Sequence, residues 1–185
     1  MSTTTAARSG AWIVDIAHTN VGFVVRHMMI AKVRGNFTRV RGEVQLPEGS
    51  SIPTAIAAEI EAVSVDTRDD QRDGHLRSAD FFDVENYPRL TFKSTAILKA
   101  GDTTFDVTGD LTIRATTKSV TLPVEVEGRA TDPQGGRRIG YSARFRVDRR
   151  DFGLTFNQAL ETGGVLIGNE VDIELDIEAV ASEAT

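Results

Sequence analysis

The sequence predicts an all-β protein, a closed antiparallel barrel of about eight strands with one short helical insertion. Three observations carry this. Apolar and polar residues alternate with period two through most of the chain, the pattern of a sheet with one dry and one wet face. Many runs are too long to sit safely in an open sheet, and closure removes exposed edges. Only Ser64–Pro88, SVDTRDDQRDGHLRSADFFDVENYP, breaks the alternation with a long helical pattern.

The elements follow in order. Residues 1–9 are small and polar and are expected to be disordered, leaving 10–185 as a single domain. Val21, Phe23, Val25 and His27 share one face of the first long run. Val33, Gly35 and Phe37 continue it after a short crossing at 28–32. The phase then slips to Val40, Gly42, Val44 and Leu46, which predicts a bulge near Thr38 or Arg39. Ile56, Ala58, Ile60 and Ala62 form the next face. Leu90, Phe92, Ser94, Ala96 and Leu98 follow the helical segment, then Phe105, Val107, Gly109, Leu111 and Ile113. Val120, Leu122, Val124 and Val126 come next, then Ile139, Tyr141, Ala143, Phe145 and Val147, and last Val171, Ile173, Leu175 and Ile177. Turn residues punctuate the runs at 100–102 and 132–136.

In the insertion, Thr67 is placed to cap a helix, with Asp69 and Asp70 in its first turn, where the helix dipole favours negative charge. Asp69–Arg72 and Asp73–Arg77 have pairing spacings. A second turn, capped by Ser78, delivers Phe81 and Phe82 onto the barrel, and the helical stretch spans about Thr67 to Asp83.

The bulk composition narrows the function. The 185 residues are 40% hydrophobic, enough for a core, and the net charge of −6 argues against sequence-independent nucleic-acid binding. There is no cysteine, so thiolate chemistry is excluded. No stretch approaches the roughly 20 apolar residues of a membrane span. The opening residues lack the apolar run of a secretory signal, so a cytoplasmic address is expected.

The inward positions include many small residues: Gly35, Gly42, Ala58, Ala62, Ser94, Ala96, Gly109, Gly128 and Ala143. An eight-stranded barrel either fills with side chains or holds one small ligand. Small inward residues suit a cavity, and they equally suit alternation with large ones that fills a taper. A cavity walled by Val, Leu, Ile and Phe favours an apolar, elongated ligand. A chain of about 15 carbons offers roughly 12 kcal/mol gross at about 0.8 per methylene, against association costs of about 4–15. The residues expected to line it are Phe23, Val25, His27, Phe37, Ile60, Phe81, Phe82, Phe92, Ser94, Val107, Leu111, Val124, Tyr141, Ala143, Phe145, Ile173 and Leu175.

Several blocks, from WIVDIAHTNVGFVVRHMMIAKVRGNF near the start to GNEVDIELDIEAV near the end, resemble the YceI family of lipid-binding proteins. WIVDIAHTNVGFVVRHMMIAKVRGNF is similar to its first hairpin, and DTRDDQRDGHLRSADFFDVENYPRLTFKST to its most recognisable motif. GDLTIRATTKSVTLPV resembles its next strand pair, with Ala115 where the family usually has glycine. RFRVDRRDFGLTFN and GNEVDIELDIEAV look like its closing pieces. The resemblance runs from Trp12 to about Val180. It implies an extended lipocalin-like barrel that binds polyisoprenoids, isoprenoid quinones or similar amphiphiles, and frequent homodimers. No cofactor is expected beyond such a bound lipid.

Asp15, His18 and His27 invite a metal or catalytic role. A metal site needs three or four ligands in register, and these supply part of one. A structural His18–Asp15 hydrogen bond at a strand end is the plainer expectation. His27, at the end of its strand, is placed to line the cavity mouth and meet a polar head group. Arg68, Asp69, Asp70, Arg72, Asp73 and Arg77 suit either a head group or a solvated face with internal pairs, and Arg150 suits anchoring a loop carboxylate. No nucleophile elbow, phosphate loop or dinucleotide-binding pattern is present, and no catalytic residues are expected. Two other classes stay open: an enzyme acting on a lipid, and a filled barrel serving as an interaction domain.

Overall fold

A computed structural model describes residues 9–182. The expected disordered segment lies outside them, apart from Ser9, which opens the first strand. The strands are β1 (Ser9–Val14), β2 (Asn20–His27), β3 (Ala31–Phe37), β4 (Val40–Pro47), β5 (Ala55–Glu61), β6 (Val65–Asp66), β7 (Arg89–Lys99), β8 (Thr104–Ile113), β9 (Thr116–Thr131), β10 (Arg137–Asp148) and β11 (Ile167–Ala181), with one α-helix, α1 (Asp70–Arg77).

All eleven strands of the described residues belong to one antiparallel sheet. The barrel closes through β11, which pairs with β10 on one side and with both β1 and β2 on the other. In the pairing pattern β1 and β2 act as one interrupted stave, as do β3 and β4, and β5 and β6. With β7 to β11 this makes the eight staves that the alternation predicts. The interruptions leave a seam in the wall. β1 pairs with β4 only as far as Ile13↔Glu43, and β2 pairs with β3 from Val21↔Phe37. Between these pairs the chain leaves the wall in a short 3-10 turn at Ile16–His18.

The expected bulge near Thr38 is a strand break. The Thr38 and Arg39 amides leave the ladder and donate to the Ser64 carbonyl and hydroxyl, at 3.1 Å each. The long β7 does not keep one phase. A bulge at Thr95, between the Ser94↔Gly109 and Ala96↔Thr108 pairs, turns Ile97 inward. Ala96 is therefore exposed, and Leu98 is 67% exposed, against the expectation that both face in. Gly128 also lies on the surface, beside the β9–β10 register shift.

The helix is shorter than expected and is capped elsewhere. Asp69, not Thr67, is its N-cap, and its carboxylate accepts the Arg72 amide at 3.0 Å. Buried Thr67 instead donates its amide and hydroxyl to buried Asp73, at 2.9 and 2.5 Å. Asp73 is therefore not the partner of Arg77, which donates to the Val63 and Val65 carbonyls. Asp69 and Arg72 do pair, at 3.9 Å.

The core forms three clusters. One holds Trp12, Leu46, Phe105, Ile139 and Tyr141, towards the barrel end formed by the β4–β5, β7–β8 and β9–β10 connections. A second joins Val21, Phe37, Val65 and Leu90 to Leu76, Phe82 and Val84 of the helical segment. The third packs Phe81 on Phe152 and Leu154.

Candidate functional site

An apolar cavity of about 200 Å³ occupies the barrel between the first two clusters. Its wall is built from alternate residues of the staves. Val107 and Leu111 of β8, Val124 of β9, Tyr141, Ala143 and Phe145 of β10, and Ile173 and Leu175 of β11 line it. Phe37, Ile60 and Phe92 line it from β3, β5 and β7. The alternation puts them inside, because every second side chain of a half-wet strand faces the dry side.

Six of the residues expected to line the cavity lie elsewhere. Phe23 leans over Gly35, whose missing side chain leaves room for its ring: a Cβ there would come within 2.4 Å of Phe23 Cζ. Val25 and His27 lie beyond the cavity, towards the tip of the β2–β3 hairpin, so His27 is not at its mouth. Ser94 turns its hydroxyl to the wall and accepts the Ile56 amide at 2.9 Å. Phe81 sits in the third cluster, with its ring 5.0 Å from that of His75. Phe82 packs edge-on against Phe37, outside the lining.

Of the small residues expected inside, Ala96 and Gly128 are exposed, and others take both of the roles open to them. Gly35 and Gly109 make room for Phe23 and Phe92 rings, so they fill the barrel. Gly42, Ala58 and Ala143 line the cavity.

Val14, Val40 and Val44 also line it, beyond the residues expected to do so. The last two lie on the predicted inward phase of β4. Val14 belongs to β1, a strand whose six residues offer too short an alternation to stand out. These residues flank the seam, where the cavity approaches the surface. An open recess of about 240 Å³ lies outside, between Ile16, Arg39, Arg41, Glu59, Glu61 and Arg89. Val40 and Ile60 border both spaces.

Titratable chemistry is sparse inside. Tyr141 lines the cavity, its hydroxyl donates to the Ser51 carbonyl at 3.0 Å, and burial raises its pKa. Glu43 borders the cavity from an exposed position.

The polar clusters have structural partners. His18 Nδ1 lies 3.0 Å from an Asp15 oxygen, as expected. Asp15, His18 and Glu178 bring three ligand atoms within 4.8 Å of one another. The Arg138 guanidinium already lies against both carboxylates, at 2.7 Å from Asp15, and also holds Asp132 at 2.8 Å. Its hydrogen bond, seconded by that of His18, lowers the Asp15 pKa to about 2. A dication here faces a fixed positive charge. In the helical segment, Arg72 and Arg77 bond backbone carbonyls, which favours the internal-pair role over a head-group site. Arg150 grips the Asp148 carboxylate, as its position suggested. Its neighbour Arg149 is buried and donates to the carbonyls of Leu154, Phe156 and Gly168 at 2.6, 2.9 and 2.9 Å.

A closed eight-stave antiparallel barrel around an apolar space is the build of a lipocalin-like barrel. The chain belongs to the YceI-like domain family, whose profile matches residues 12–179. A UPF0312 protein of Vibrio cholerae serotype O1 is 32% identical over 182 residues, covering 97% of this chain and 92% of the relative. The crystal structure of Burkholderia cenocepacia BcnA matches with a TM-score of 0.77 and 25% identity, over 89% of this chain and 98% of that one. A structure described as a polyisoprenoid binding domain from Saccharophagus degradans, implicated in plant cell wall breakdown, matches in fold with a TM-score of 0.72 and 15% identity, over 95% of this chain and 100% of that one.

Proposed function

We propose that the protein binds an elongated apolar ligand, such as a polyisoprenoid, an isoprenoid quinone or a similar amphiphile, inside the barrel and carries or stores it. The observation that carries this reading is the almost wholly apolar wall of the cavity. Membership of the YceI-like family supports it, as does the fold shared with a domain described as polyisoprenoid-binding. A filled barrel has no use for such a space. A lipid-converting enzyme needs convergent acids and bases, and among the described residues Tyr141 and Glu43 are the titratable ones that border the cavity.

The cavity sets a condition. Its volume of about 200 Å³ is below the roughly 300–1,000 Å³ of drug-sized sites. A chain of about 15 carbons therefore needs more room than the present walls leave. The layer at Phe37 and Phe82, which divides the cavity from the helical segment, is the part that gives way in this reading.

Titration of delipidated protein with a fluorescent isoprenoid tests the proposal. Saturable binding at micromolar concentration, competed by unlabelled isoprenoid, is expected. No uptake by folded, delipidated protein overturns it. A cytoplasmic address and a homodimer belong to the same proposal, and cell fractionation and sedimentation velocity test them.

A further inference from the structure

The turn between β2 and β3 is Met28-Met29-Ile30, and these residues are 40%, 55% and 82% exposed. None of them joins a core cluster. Met28 and Met29 have φ of 51° and 60°, in the left-handed region that hairpin turns usually fill with Asn or Gly. Large apolar side chains are thus held in water on a backbone that disfavours them; the turn is tied to the fold through its backbone, where the Met28 amide donates to the Leu166 carbonyl at 2.8 Å.

The surroundings are basic. Arg26, Lys32 and Arg34 stand on the two strands of the hairpin within a few residues of the tip, and the hairpin from Asn20 to Phe37 carries no acidic residue, although the net charge of the chain is −6. Arg26 stands directly opposite Lys32 in the ladder, a like-charge pairing that disfavours the hairpin in isolation. Of the acids on the adjoining β11, Glu170 and Asp172 pair with Arg146 at 3.1 and 2.7 Å, and Asp172 also lies in the field of Lys32 and Arg26. β3 pairs with β6 only at Asn36 and Phe37, so its basic stretch lies on an open edge. Charges on an edge strand deter edge-to-edge pairing, which accounts for Lys32 and Arg34 but not for an apolar tip.

An apolar tip with a basic collar matches an anionic bilayer surface. Apolar side chains enter the boundary between head groups and acyl chains, while Arg and Lys meet the phosphates. We propose that the β2–β3 hairpin docks the protein on an anionic lipid bilayer, with Met28, Met29 and Ile30 dipping into it and Arg26 and Lys32 contacting lipid phosphates. The contact is peripheral, because three residues cannot span a bilayer. It goes beyond the ligand reading and does not depend on it.

Co-sedimentation of the full chain with phosphatidylcholine vesicles, with and without phosphatidylglycerol, tests the proposal. Binding is expected to the anionic vesicles and to weaken with salt. Met29→Asn with Ile30→Ser removes the apolar tip, and Asn tolerates the left-handed turn, so the fold is retained and vesicle binding is lost. Lys32→Glu reduces the preference for anionic vesicles by about tenfold. Wild-type protein left in the supernatant overturns the proposal, and so does a tip variant that binds as well as wild type. A tip variant that dissociates a dimer in sedimentation velocity, with vesicle binding unchanged, overturns it in favour of a second copy of this chain.

Discussion

Phe82 sets its ring edge-on against Phe37, with centroids 5.6 Å apart and planes at 73°. Phe37 lines the cavity, and Phe82 comes from the turn that follows α1. Leu76 and Val84 of the helical segment pack on the same cluster, so the segment closes this end of the barrel next to the cavity.

Phe82→Ala is therefore expected to open that end. Truncating a fully buried phenyl costs about 3–5 kcal/mol, and the half-buried Phe82 about 2. Stopped-flow uptake of a fluorescent isoprenoid is expected to be faster than in wild type. Unchanged uptake kinetics would show that this end is not where the ligand passes.

Ala143→Phe separates an open cavity from a filled barrel. Ala143 is buried, lines the cavity, and lies between Val124 and Leu175 in register. In a filled barrel the added ring overpacks and costs about 1–3 kcal/mol. In the cavity described here it has room, so the melting temperature of delipidated protein is expected to change little while lipid uptake falls sharply. A strongly destabilised variant contradicts the open cavity.

The Arg138 cluster predicts an acid limit. Asp15 titrates near 2, below the ordinary carboxylate value, chiefly through its hydrogen bond to Arg138 and then through His18. A depressed carboxylate contributes stability that is present above its unfolded pKa, about 3.9, and that contribution is lost as pH falls towards 2. Asp15→Asn is expected to lower the melting temperature at neutral pH and to differ less from wild type as the pH approaches 2. A gap between the two melting curves that does not change over that range contradicts the assignment.

Arg149→Met tests the loop that backs the third cluster. The guanidinium reaches three backbone carbonyls from a buried position. Removing it leaves those acceptors without their donor, at about 3 kcal/mol or more. Urea denaturation measures this, and a loss under about 1 kcal/mol would show that water replaces the side chain without difficulty.

The staves were legible because each has one wet face, so polarity alternates along it. The alternation could not show where the phase changes. Ile97 and Leu98 are both apolar, so nothing local says that the bulge at Thr95 turns the first inward and the second out. Nor does it show which neighbour leans into a gap. Gly35 and Gly109 read as open space, yet Phe23 and Phe92 fill it from adjacent strands. The helix cap was misplaced because Thr67 and Asp69 both suit the role locally, and the choice rests on Asp73, which draws Thr67 inward. β1 was missed because six residues ending at an exposed turn show too little pattern.

Native mass spectrometry of freshly purified protein, before and after organic extraction, tests the central claim most directly. A folded protein with added mass is expected, and extraction should remove that mass and yield an isoprenoid, quinone or long acyl species. Protein at its bare chain mass, with a clean extract and no uptake of added lipid, would contradict the account.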